Sequence, residues 1–163
     1  MPRARQPQPS RLLIALLTAA AFALSLPISA SIVTAIVNRS ALLEELDRAF
    51  QPGWGLAPVV VQSALVGGLA FLFFRPRGGR RPQIPRVAIA VALASASMQT
   101  LGILFEVAMF ASGAMASTSE SGEVSIFVLD VWQAALCVAV TVFLATAVTT
   151  VISAGSSHAR DSA

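Results

Sequence analysis

Residues 12 to 37 read LLIALLTAAAFALSLPISASIVTAIV, a stretch without one charged side chain. A helix needs ~20 mainly apolar residues to cross the hydrocarbon core of a bilayer, and this run exceeds that. It lacks the period-two alternation of a membrane-barrel strand, so it predicts a helix. Pro27 should kink it, which membrane helices tolerate. Three further runs of the same character follow, at 56–74, 87–113 and 124–154. Pro58 near the start of the second is tolerated for the same reason. The chain is expected to be an all-α integral membrane protein, a four-transmembrane-helix bundle forming a single domain over 1–163.

Composition agrees with a lipid solvent. Of 163 residues, 56% are hydrophobic and 12% charged, against roughly 25% charged in an ordinary soluble domain. The net charge of +3 comes from eleven basic residues, all of them arginine. They sit in short clusters between apolar runs instead of forming one basic surface, which argues against nucleic acid. The all-arginine usage and abundant alanine resemble a GC-rich bacterial coding bias, pointing to a bacterial plasma membrane.

Those arginines also set the expected orientation. Arg3, Arg5 and Arg11 lie in the leader, 1–11, and Arg160 in the tail, 155–163. Arg75, Arg77, Arg80, Arg81 and Arg86 fill the connection at 75–86, where they should fix topology and touch anionic lipid heads. The connections at 38–55 and 114–123 carry only Arg39 and Arg48, against Glu44, Glu45, Asp47, Glu120 and Glu123. The basic-inside bias puts both termini and the arginine connection in the cytoplasm and the other two connections outside. A rival reading makes the N-terminus a secretory signal cleaved after "PISA". Ile28 is a poor fit to such a site, and the apolar run resumes beyond Ala30, so an uncleaved helix is preferred.

Within 38–55, the segment SALLEELDRAF at 40–50 predicts a short amphipathic helix on the outer surface. Leu42, Leu43, Leu46, Ala49 and Phe50 would form its apolar face. Glu44, Glu45, Asp47 and Arg48 would form the other, with Glu44 and Arg48 spaced for an ion pair. Such a helix could close one side of the bundle, or serve as a lid or docking ridge. Trp54 and Trp132 suit the headgroup zone.

Polar residues inside the runs are the functional candidates. Glu106, nineteen residues past Val87, should lie ~28 Å along its helix at 1.5 Å per residue. Asp130, Gln133 and Gln62 should reach the same outer zone from their own helices, with Ser31 and Thr34 nearby. Ala88, Ala92, Ser95, Gln99, Gly102 and Glu106 follow spacings of three and four, a small-and-polar stripe of the kind that faces other helices. Asp130, Gln133, Cys137 and Thr141 form a second. Ser63 with Gly67, and Ala64 with Gly68, are small pairs four apart that permit close helix approach. The expected candidate pocket is therefore Glu106, Asp130, Gln62 and Gln133, with Gln99, Gly102, Ser63, Gly67 and Gly68 as helix-packing residues. Intramembrane acids are functional candidates by default. The plainer alternative is that both acids are hydrated and mark span ends.

Chemistry of other kinds finds little support. Cys137 and His158 are single, so an intrachain disulfide, a cysteine cluster and a histidine-rich zinc site are excluded. No phosphate-binding loop or nucleophile motif is present. No cofactor, metal or catalytic residue is expected. The sequence favours a non-enzymatic accessory or assembly subunit packing against other membrane chains. The alternative is a small oligomeric carrier or channel for a cation, proton or amine.

Overall fold

The computed structural model describes residues 10–51, 56–74, 84–111 and 120–161, and side chains at 56, 110, 111, 120–129 and 154–161 lie outside that description. The expectations for Arg3, Arg5, Arg75, Arg77, Arg80, Arg81, Trp54 and residues 114–119 fall outside it too. All regular structure among the described residues is helical: α1 (Arg11–Asn38), α2 (Leu42–Phe50), α3 (Leu56–Phe73), α4 (Ile84–Ala111) and α5 (Glu120–Asp161). Three of these contain segments long and apolar enough to cross a membrane, Arg11–Asn38, Ile84–Met109 and Asp130–Ser153. Ala57–Phe73 is apolar but shorter.

The ends of the helices differ from the sequence expectation in instructive ways. α1 opens on Ser10, whose hydroxyl accepts from the Leu13 N–H and satisfies one of the free donors of the first turn. It continues through Pro27 without a break. α4 begins three residues early, at Ile84, because Pro85 suits a first helical turn, where no N–H partner is needed. α5 takes in residues expected in the outer connection and in the tail. Its 42 residues amount to ~63 Å.

Packing is that of a four-membered ring. α1 lies against α3 and α5, α4 lies against the same two, and α1 and α4 barely touch across the diagonal. Neighbours run antiparallel. Arg11 at the start of α1 stands over the ring of Phe71 near the end of α3, 5.9 Å from its centroid. Two apolar layers fill the middle. One holds Ile14, Phe74, Val87, Val91 and Ala145, the other Phe22, Val66, Ala70, Ala94 and Cys137.

Small residues share the interior with Phe22, Phe74 and Ile14, and many large apolar side chains lie outside. Fully buried positions include Ser25, Ser29, Ser95, Ala70, Ala94 and Cys137, while Leu16, Leu72, Leu104, Phe143 and Val151 are among the exposed. A water-soluble bundle leaves fewer large apolar side chains on its surface and fewer small polar ones in its core. Small residues at these positions let the helices approach closely. Buried hydroxyls do not go unpaired. Thr18, Ser25, Ser95, Thr141 and Thr149 each donate to the carbonyl four residues back, at 2.6–2.7 Å. Their donors are thereby used within their own helices.

Gly67 marks the closest approach. A Cβ built there would lie 2.9 Å from the Ala15 carbonyl oxygen and 3.0 Å from the Ala19 Cβ. Ser63, one turn away, is buried on the same face. Gly68 takes no part in the contact with α1, because it is exposed and a Cβ there meets nothing within 4 Å. One residue is a ~100° rotation on a helix, so the adjacent small pair points away from α1.

Candidate functional site

A cavity of about 200 Å³ opens at the end of the bundle where α1 finishes and α3 begins. Every helix of the ring contributes. Leu26 comes from α1, Gln62 from α3, and Asp130, Gln133 and Ala134 from α5. Met98, Gln99, Gly102, Ile103 and Glu106 come from α4. The structure thus brings Glu106, Asp130, Gln62 and Gln133 to one cavity, together with Gln99 and Gly102. Gly102 is not a packing residue. A Cβ there meets open space, so its bare backbone widens the cavity. Ser63 and Gly67 stay with α1.

The antiparallel register of α4 and α5 sets the polar contacts. Glu106 and Asp130 meet side chain to side chain, within hydrogen-bonding reach. Seven residues back on α4 and seven forward on α5, Gln99 reaches Cys137 in the same way. Two helical turns on each partner, run in opposite senses, join the two contacts. The Cys137 thiol also lies within hydrogen-bonding reach of Ser29 on α1 and of Thr141 one turn along α5. Of this polar knot, Gln99 also lines the cavity.

Electrostatically the cavity is one-signed. Its lining holds two carboxyl groups and three carboxamides, and no arginine. Glu106 is on the exposed side of the opening, and Asp130, Gln62, Gln99 and Gln133 are half-buried. Water can therefore solvate the acids from the mouth, while the carboxamides offer both donors and acceptors farther in. The remaining wall, Leu26, Met98, Ile103 and Ala134, is apolar. Among the described residues no group of three or more His, Cys, Asp or Glu is placed to hold a metal ion.

Sequence reasoning placed Ser31 and Thr34 in the same zone, but neither lines the cavity. Ser31 is turned toward α2, where its hydroxyl donates to the Glu45 carbonyl at 3.2 Å. The stripe containing Ala88 and Ala92 is also rotated. Those two are half-buried, whereas Val87, Ala90, Val91, Ala94 and Ser95 are the buried residues of α4. The apolar lining by Leu26, Met98 and Ile103 was missed, since apolar residues in an apolar span carry no distinguishing signal.

On α2 the expected faces need correction. Glu45 is its buried residue, with 7% exposed, and its Oε1 accepts from Ser40 Oγ at 2.8 Å and from Arg48 at 3.0 Å. The ion pair is Glu45–Arg48, not Glu44–Arg48. A spacing of three serves as well as four on a helix, and the packing against α1 selects which is used.

Comparison with known protein families, characterised proteins and solved structures gives no match. Function has to be argued from the cavity itself.

Proposed function

We propose that this chain is a multi-pass membrane protein whose outward-facing cavity binds a small cation or amine. In this reading α3 crosses as well as α1, α4 and α5. Its 18 residues give ~27 Å against a hydrocarbon core of ~30 Å, and it packs between two longer spans. α2 then lies outside, with both termini in the cytoplasm of a bacterial cell. The observation that carries the proposal is the convergence of Glu106, Asp130, Gln62 and Gln133 from three helices on one cavity without a basic residue.

The same geometry favours binding over an open channel. Inward of the cavity, the layers around Phe22 and Phe74 are packed to zero or near-zero exposure. The buried hydroxyls donate to their own backbones and offer no continuous path. A carrier cycle would need those layers to part, with a second copy enlarging the route. Calorimetric titration of the purified protein with alkali cations, divalent cations and alkylammonium ions tests the site. Binding that is weakened at least tenfold in Glu106→Gln and Asp130→Asn supports it, and no binding across the panel removes it.

A second reading is a non-enzymatic accessory or assembly subunit that packs against other membrane chains. Ala64 and Gly68 favour it, since both face outward from α3 and Gly68 has free space above its backbone. Small residues four apart let another helix approach closely. A stoichiometric protein partner co-purifying in mild detergent would support this role.

A further inference from the structure

We propose that α2 is an interfacial helix whose Leu43 and Phe50 side lies in the outer leaflet of the membrane, locked there by Glu45. The inference rests on the membrane placement of α1 proposed above.

The turn comes first. Arg39 caps α1 in the left-handed conformation, φ 52° and ψ 35°, with its N–H bonded to the Ala35 carbonyl. That cap reverses the chain, so α2 returns beside α1 instead of continuing outward. The Ser31–Glu45 bond fixes how far it returns. Ser31 is seven residues before Asn38, so the middle of α2 sits ~10 Å below the end of α1. Interfacial helices bury their apolar side ~5–10 Å into the boundary between headgroups and acyl chains. The level agrees.

Orientation agrees as well. Leu43 and Phe50, seven apart and so on one side of the helix, are 79% and 52% exposed. Ile36 and Val37 at the end of α1 are exposed apolar residues as well. Glu44 and Arg48 lie ~100° and ~140° round the helix from Leu43. The exposed Asp47 borders the Leu43 and Phe50 side and bonds to Gln51, and Glu45, the buried acid of α2, is held by Ser40 and Arg48. The lock sets the rotation of α2 about its own axis. A protein occupant fits poorly, because nine residues cannot supply the ~800 Å² per partner of a stable interface.

The test uses the full chain in lipid bilayers, with single nitroxide labels in a Cys137→Ala background. Labels go at Leu43→Cys, Phe50→Cys, Glu44→Cys and, as a reporter of bundle insertion, Phe143→Cys. Labels at 43, 50 and 143 should collide more with oxygen than with a water-soluble nickel chelate, and the label at 44 should show the reverse. A chelate-accessible label at 43 and 50, with 143 still in lipid, overturns the interfacial placement alone. Labels at 43 and 50 shielded from both reagents overturn it in favour of a protein partner. A chelate-accessible label at 143 overturns the membrane reading and this inference together.

Discussion

Glu106 on α4 and Asp130 on α5 meet across the interface between two antiparallel helices, within hydrogen-bonding reach of each other. Two carboxylates at that separation repel, and a cation held between them relieves the repulsion. Glu106→Gln and Asp130→Asn keep shape and hydrogen bonding while removing one charge each. We expect both variants to fold, with thermal unfolding in detergent unchanged or raised, because a like-charge contact is lost. Cation affinity measured by calorimetry should fall at least tenfold in each. Unaltered affinity in both variants would show that cations bind elsewhere.

Gly102 gives an independent check, since it carries no charge. Its Cβ position is open and borders the cavity. Gly102→Leu should occupy part of the cavity, lowering affinity for the larger alkylammonium ions more than for alkali cations. The melting temperature should stay within a few degrees of the parent. Equal loss for small and large ions would mean that cavity volume does not limit what binds.

Gly67 and Gly68 are adjacent in sequence and opposite in consequence. Gly67→Ala drives a methyl group into the Ala15 carbonyl, a backbone atom that cannot step aside. Overpacking of this kind costs about 1–3 kcal/mol. Gly68→Ala meets nothing and should stabilise by about 0.5–1 kcal/mol, the helix preference of alanine over glycine. Unfolding in mixed micelles, monitored by circular dichroism, compares the two. A Gly67→Ala protein as stable as Gly68→Ala would contradict the close approach of α1 and α3.

Arg39 is the one non-glycine residue with positive φ among those described. The left-handed conformation costs an L-residue roughly 1–2 kcal/mol. Arg39→Gly removes that cost but adds unfolded-state freedom, for a net gain of up to about 1 kcal/mol. Arg39→Val should destabilise, because a β-branched residue suits that conformation least. The order Gly, Arg, Val in unfolding midpoint is the expected result.

Topology can be tested without reference to the cavity. Native Cys137 has no exposed surface, and Cys137→Ala gives a clean background. In intact cells, a membrane-impermeant thiol reagent should label Ser119→Cys and leave Gly79→Cys unlabelled. Labelling at position 79 alone would invert the orientation of the bundle.

The helical character of the described residues, three long apolar segments and the spacing of polar residues along them were legible from one sequence. Each follows from the period and rise of a helix, which do not depend on neighbours. Glu106, Asp130, Gln62 and Gln133 line one cavity, as the rise along their helices leads one to expect. Rotation about the helix axes was another matter. Gly67 against Gly68, Glu45 buried and paired with Arg48, and Val91 and Ala94 buried ahead of Ala88 and Ala92 were decided only by tertiary packing. Periodicity shows which residues share a side, but not which neighbour that side meets. In an apolar span the usual guide is also lost, because lipid and protein interior accept the same side chains, and only the fit of small residues against a neighbouring backbone separates inside from outside.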